Sequence, residues 1–448
     1  MKLNLSLSKL AAITGGKLVS GNGEQKIQSF VTDSRVIAPG DAFWALKGEK
    51  HDAHQFIDQA IQKGATVIVG EEGRIGKITQ PDVAVIEVKN TLKALQQLAK
   101  YHRLNHTLKI AAITGSNGKS TTKQMLKSIC AQAGETVANM GNFNNQFGVP
   151  FSLLEIKDKH QYGVFELGAS HPGDIQETAS LVVPDVAVIT NVSAAHLAFF
   201  KDVETVYKTK TEIVDCLAPA GTLVYNSDDE MLARLGSYKG KSISFGFNPR
   251  ADLHILDTEK FSFSYKENVY IIDVYLERHN KLNAAAACAA AIALGLFMDN
   301  IKAGLQSFTP MPMRMENVQH KNARLILDCY NANPASMQNA LQILGKQPGG
   351  PRIAVLGDMR ELGETSKNFH RLVARWLLDN KIEYAFLAGA EMKYAADILQ
   401  NDTEIKVFYG QTPAEWTPQL KELLDKTSGV CLFKASRGMQ FENILKEI

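Results

Sequence analysis

Residues 109–130, KIAAITGSNGKSTTKQMLKSIC, carry the spacing of a site that holds phosphate. Gly115 and Gly118 can take backbone angles that turn amide N–H groups toward an anion, and the start of a following helix adds free donors of its own. Lys119 is spaced to meet the β- and γ-phosphates of a nucleotide, and the hydroxyl of Ser120 or Thr121 to ligate Mg2+. The loop itself runs Thr114, Gly115, Ser116, Asn117, Gly118, Lys119, Ser120. It is a shortened form of G-x-x-x-x-G-K-[ST], because Ile113, part of the preceding apolar run, stands where the leading glycine belongs. Such a loop names a ligand and leaves the reaction open.

Further polar groups follow apolar runs. Glu166, in YGVFELGA, is either a Mg2+ ligand beside the phosphates, since a hard cation prefers oxygen donors, or half of a structural ion pair. Asn191 and His196 trail VAVIT; a lone histidine there is a ligand or simply a satisfied structural residue. Lys208 and Lys210, in VYKTKTEIV, have the spacing of a solvated helix face. Asn283, ahead of an alanine-rich run, caps a helix or touches a base. Asn142, Asn144 and Asn145 lie in GNFNNQFGVP, while Asp33, Ser34, Arg35 and Lys47 sit at turns that turn chemistry alone would explain. Toward the C-terminus come Asp328, Tyr330, Asn331 and Asn333, then Asp358 in GDMRELG, then Lys434, Ser436 and Arg437.

The elements that must position these groups read as α/β throughout. Residues 5–88 mix short strands and helices, and 91–104 form an amphipathic helix bridging into the phosphate-loop unit. From 108 to about 310 apolar strands such as 163–167 and 186–190 alternate with helices around a mainly parallel sheet. Residues 311–316, MPMRME, read as a hinge. Beyond it, strands at 324–329, 352–356, 384–388, 405–409 and 429–434 alternate with helices that begin after Pro334, Thr365, Ala390, Pro418 and Arg437. This gives three domains: a small mixed unit (1–88), a central nucleotide-binding sheet (89–312) and a C-terminal Rossmann-like unit (313–448). In open α/β sheets ligands gather at the carboxyl ends of strands, so the polar clusters should converge on the phosphate loop.

Composition excludes several classes. The 49 basic and 47 acidic residues leave no bias toward nucleic acid or anionic lipid. Five scattered cysteines without a C-x-x-C pair do not make a disulfide framework and suit a reducing cytoplasm. The N-terminal apolar positions are interrupted by polar residues, unlike a signal-peptide core, and the longest apolar run, 284–298, is too short to cross a bilayer. A monomer is the default expectation.

The T-G-S-N-G-K-S loop, the N-x-N-N-x-x-G-x-P turn, E-L-G-A, the Asn191/His196 pair, Arg314 and L-I-L-D-C-Y-N-A-N-P together resemble the Mur ligase family over essentially the whole chain. Asp33-Ser34-Arg35, VLGDMRELG and FKASRGMQFE are most similar to the branch that adds D-alanyl-D-alanine; the D-N-P-R motif of the diamino-acid-adding branch does not occur here.

The resemblance implies an ATP-dependent amide ligase that joins D-alanyl-D-alanine to UDP-MurNAc-tripeptide through an acyl phosphate. Such chemistry asks for positioning and charge neutralisation and needs no Ser or Cys nucleophile. It implies two Mg2+ ions held by Ser120 or Thr121, Glu166, His196 and Lys210, the last as a carbamate, with Lys119 on the γ-phosphate. Asn283 and Asn331 would meet the adenine, Asp328 the ribose and Arg314 the phosphates. Asp33, Ser34, Arg35, Lys47 and the three asparagines Asn142, Asn144 and Asn145 would line the UDP-precursor site. Asn333, Asp358, Lys434, Ser436 and Arg437 would serve the acceptor. Folylpolyglutamate synthetase is a rival with the same logic but without the front domain. A nucleotide-driven switch, or a silent nucleotide-binding scaffold, would leave the C-terminal polar clusters or the retained Lys119, Glu166 and His196 unexplained.

Overall fold

Three sheets follow one another along the chain in a computed structural model that describes residues 2–48, 51–194, 197–400, 402 and 404–448. The first has six strands in the spatial order Lys2–Ser6, Lys26–Val31, Ala42–Trp44, Val67–Glu71, Ala84–Val88, Lys17–Ser20. Its four inner strands are parallel and each edge strand pairs antiparallel. The helix Thr91–Leu104 starts where Asn90 accepts the Lys93 N–H at 2.8 Å. It buries Leu95 and Leu98, and Trp44 donates its indole N–H to the Thr91 carbonyl at 3.0 Å. One apolar core therefore runs from Leu10 and Trp44 through this helix to Ile110 and Phe165, fusing the first unit to the second.

The central sheet has nine strands. Seven, including Lys109–Thr114, Tyr162–Glu166 and Val186–Ile189, are mutually parallel, and the continuous apolar runs of these three are buried. The departure from a parallel sheet is an edge hairpin, Lys260–Tyr265 with Asn268–Tyr275, whose two-residue connection can join only antiparallel strands. The phosphate-loop helix Lys119–Ala131 packs against Arg278–Ala293, in which every residue from Ala284 to Ala291 is buried. Short side chains let the two backbones approach closely.

The third sheet, of six strands, places Ala323–Leu327, Val430–Lys434, Arg352–Gly357, Tyr384–Ala388 and Lys406–Gly410 in parallel order, close to the expected ranges. Two features differ. The strand Glu316–His320, whose alternation is polar and half-exposed, adds antiparallel at one edge. The helix expected after Arg437 is instead two short 3-10 turns, Arg437–Met439 and Phe441–Lys446. The hinge is a tight turn with Met313 and Met315 at φ of 58° and 52°. Among the described residues no helix is long and apolar enough to cross a membrane.

Candidate active site

The carboxyl ends of the central strands face those of the third sheet across a cleft of about 1460 Å3. On the central wall the loop after Lys109–Thr114 needs glycine twice. Gly115 (φ 145°) lies against the Thr190 hydroxyl and Gly118 (φ 81°) against the Asn283 amide, so a Cβ at either would collide. The loop is pinned to the neighbouring strand end: Ser116 N–H donates to the Asn191 carbonyl (2.9 Å) and Asn117 N–H to Asn191 Oδ1 (2.9 Å). Lys119 Nζ folds back on the Gly115 and Ser116 carbonyls at 2.7 and 3.2 Å, and burial lowers its pKa.

Glu166 is 3% exposed. Asn144 donates to its Oε1 at 2.8 Å, whereas Oε2 is buried without a hydrogen-bond partner and lies 3.7 Å from Lys123 Nζ. Burial pushes the Glu166 pKa up, but Lys119, Lys123 and the Asn144 amide outweigh it, and the carboxylate stays ionised below its ordinary value. Behind it Asn139 brackets the Glu166 backbone, accepting its N–H at 3.0 Å and donating to its carbonyl at 2.8 Å. Lys123 in turn donates to the Asn139 carbonyl at 2.9 Å. Neither Lys123 nor Asn139 was singled out by motif. The signal available was the i,i+4 spacing of Lys119 and Lys123 on one helix face.

Lys210 is not on a solvated face: it is 2% exposed, with Nζ 5.8 Å from the Phe200 ring centroid. Burial, then the nearby Lys119 charge, lowers its pKa to about 7. Lys208 has no such burial. Thr121, Asn142, Asn144 and Asn145 line the cleft. His196 lies outside the described residues.

Asn283 does not cap its helix, which begins five residues earlier at Arg278; it sits inside the first turns, 8% exposed, with its amide donating to Asn280 Oδ1 at 3.1 Å. The helical repeat puts His279, Asn280 and Asn283 on the cleft-facing side, and all three line the cleft. His279 and Asn280 were legible only through that spacing to Asn283. Burial holds the His279 pKa down against the pull of Asp328 across the cleft.

From the third unit come Asp328, Tyr330, Asn331, Asn333, Lys434, Arg437 and Arg314. Lys434, 1% exposed, pairs with Asp328 at 2.5 Å and donates to the Asn331 carbonyl at 3.2 Å. Arg314 stacks on Tyr330 at 4.1 Å and donates to the Ser120 hydroxyl at 2.9 Å. Two expected acceptor residues do not reach the cleft lining. Asp358 accepts the Met392 N–H at 2.9 Å, and Ser436 Oγ accepts the Arg360 N–H at 2.9 Å, so both hold backbone behind the wall.

The N-terminal quartet also lies apart from the cleft lining. Arg35 pairs with Asp33 at 2.7 Å and holds that carboxyl down at about 2; Ser34 donates to Gln59 at 2.8 Å; the backbone at Lys47 pairs antiparallel with that at Asp52. These are local turn contacts, with Arg35 largely exposed.

Three sequence patterns match in chain order: the Mur ligase family catalytic domain at residues 26–103, the Mur ligase middle domain at 113–291 and the Mur ligase glutamate ligase domain at 313–437. A UDP-N-acetylmuramoyl-tripeptide--D-alanyl-D-alanine ligase of Buchnera aphidicola subsp. Acyrthosiphon pisum is 35% identical, the alignment covering 100% of this chain and 98% of that one. The chain belongs to the Mur ligase family. Its three-domain α/β fold superposes on MurF of Acinetobacter baumannii with a TM-score of 0.92 at 34% identity, covering 100% of this chain and 99% of that one. MurF of Thermotoga maritima, solved in complex with ADP, gives a TM-score of 0.84 at 29% identity over 93% and 96% of the two chains. In this Mur ligase the cleft is thus the place to test for nucleotide and metal. The loop at a helix start fits a phosphate, and the orphaned Glu166 oxygen, in a cleft also lined by Ser120 and Thr121, fits a hard cation that takes few protein ligands.

Proposed function

We propose that this Mur ligase joins D-alanyl-D-alanine to UDP-MurNAc-tripeptide at the expense of ATP, giving the UDP-pentapeptide, ADP and phosphate for peptidoglycan synthesis. The observation that carries the reading is the cleft in which the glycine-cradled phosphate loop and the ionised, half-satisfied Glu166 face Asp328, Lys434 and Arg314 of the third unit. The likeness to D-alanyl-D-alanine ligases over the full chain supports the substrates.

The precursor carboxylate attacks the γ-phosphorus of ATP; the P–O bond to ADP breaks and an acyl phosphate forms. The amine of the dipeptide then attacks the acyl carbon, loses its proton, and the C–O bond to phosphate breaks. Lys119 and the loop amides neutralise charge on the transferring group, and Arg314 brings a further cation from the opposite wall. Ser120, Thr121, Glu166 and His196 would hold Mg2+, two ions being expected. When bound, Mg2+ supplies charge neutralisation and orients the phosphate oxygens.

Lys210 belongs to this set as a carbamate. A pKa near 7 leaves its amine substantially neutral at neutral pH, the form that adds CO2, and the anionic product would trade a buried cation for an oxygen donor. Residues 1–88 hold the UDP-precursor with Asp33, Ser34, Arg35 and Lys47, residues 89–312 the nucleotide, and residues 313–448 the dipeptide through Lys434 and Arg437. The enzyme acts as a monomer in the cytoplasm, inserts in no membrane and binds no nucleic acid. Phosphate release tests the reading with ATP, Mg2+ and UDP-MurNAc-tripeptide, with D-Ala-D-Ala added or omitted. Product that needs all four supports the ligase; turnover indifferent to the dipeptide overturns it.

A further inference from the structure

The side chain of Asn333 has two polar ends, and they belong to different parts of the molecule. Its Oδ1 accepts the Ser336 N–H at 2.9 Å, while Ser336 Oγ accepts the Asn333 N–H at 3.0 Å, a reciprocal cap on the helix Pro334–Gly345. Its Nδ2 crosses the cleft and donates to Asn117 Oδ1 at 2.7 Å. The residue is 8% exposed, and both ends of its amide are engaged within the protein.

Asn117 is the middle of the phosphate loop, and the central sheet engages its remaining polar atoms. Its N–H goes to Asn191 Oδ1 (2.9 Å) and its Nδ2 to Ser193 Oγ (3.2 Å). Its carbonyl accepts from the Thr190 hydroxyl (2.6 Å) and the Asn191 amide (2.9 Å). Oδ1 alone is given to the third unit. Any shift of the loop must therefore move Oδ1 relative to Asn333, and any opening of the third unit must break this bond.

We propose that Asn333 is a positioning residue that ties the seating of the phosphate loop to closure of the C-terminal unit, in place of the acceptor contact its motif suggested. The bridge makes the closed cleft conditional on a correctly formed loop, and it anchors the loop-side end of the capped helix over the reacting groups. The inference rests on the ligase reading for its kinetic consequence, whereas the closure bond stands without it.

The decisive variant is Asn333→Ser, which keeps a good cap but is too short to cross the cleft. Its melting temperature should match that of the wild type, while Asn333→Ala, which loses the cap as well, melts lower. Asn333→Ser should lower kcat about 10-fold, the size expected for one buried hydrogen bond, with KM for D-Ala-D-Ala unchanged. The radius of gyration of the full chain with AMP-PNP, from small-angle X-ray scattering, should exceed that of the wild type. In a double-mutant cycle with Asn117→Ala, the double variant should be no worse than the weaker single variant. Unchanged scattering, a rise confined to KM for D-Ala-D-Ala, or independent multiplication of the two losses would overturn the bridge. A wild type that makes no pentapeptide would fail the ligase reading instead, and the scattering comparison would still judge Asn333.

Discussion

The two walls of the cleft are built on opposite plans. On the central wall, Lys119, Lys123, Glu166 and Lys210 are packed within one sheet and its helices; Lys119 and Lys123 donate to backbone carbonyls of that unit and Glu166 accepts the Asn144 amide. Among the described residues, the polar bonds from the third-unit wall to this assembly include Asn333 to Asn117, Arg314 to Ser120, and the Glu361 carbonyl accepting the Ala198 N–H at 3.1 Å. The contrast teaches that charge for the reaction is preorganised on the rigid side, where low dielectric strengthens it, while the other side brings groups that can come and go. Damage to the first wall should appear in kcat, and damage to the ligand-facing groups of the second mainly in KM, whereas loss of the Asn333 bridge between the walls appears in kcat.

The sharpest test of this division is Glu166→Gln or Lys119→Ala. Each should lower kcat by about 10^3-fold or more, because a preorganised charge is removed from a water-poor site. Phosphate release at saturating substrates measures it. A loss equally large from Arg437→Ala, on the opposite wall and half-exposed beside Glu442, would erase the distinction.

Next in size is Lys210→Ala, expected to cost about 10^2-fold in kcat when the carbamate oxygen is lost. Added short carboxylates such as acetate should restore part of the rate, and their failure to do so would count against the carbamate while leaving the ligase intact. On the third wall, Asp328→Asn should raise KM for ATP roughly 10-fold, with a smaller change in kcat. It leaves the buried Lys434 without a compensating negative charge, so the melting temperature should fall as well.

The sequence made the central wall legible because its loop, helix and strand ends have fixed mutual spacing: Gly118, Lys119 and Glu166 all fall on the cleft. Two further kinds of information were missing from it. Strand-end position does not say which way a side chain turns, so Asp358 and Ser436 were grouped with Lys434 although they face backbone behind the wall. Amphipathic spacing does not report tertiary cover either, which is why Lys210 looked solvated and Asn283 looked like a cap. Lys123 and Asn139 act on Glu166 through contacts brought together by folding, which no linear motif records.

The smallest expected effect separates what Lys210 does for chemistry from what it costs the fold. In the folded protein without nucleotide its amine gives up its proton at about 7, against 10.5 for an ordinary lysine. Between those values the unfolded chain holds the extra proton, so this residue's contribution to stability rises with pH across the window, and its burial penalty is largest at and below pH 7. Lys210→Met removes the penalty and keeps the apolar stem. In carbonate-free buffer the variant should therefore melt on the order of a few degrees above the wild type at pH 7, with the gap closing toward pH 10. Differential scanning fluorimetry across that range decides it. A gap that widens with pH would mean that Lys210 is held charged by a partner, and the central wall would then be a set of paired ions like Asp328 and Lys434 instead of a preorganised excess of charge.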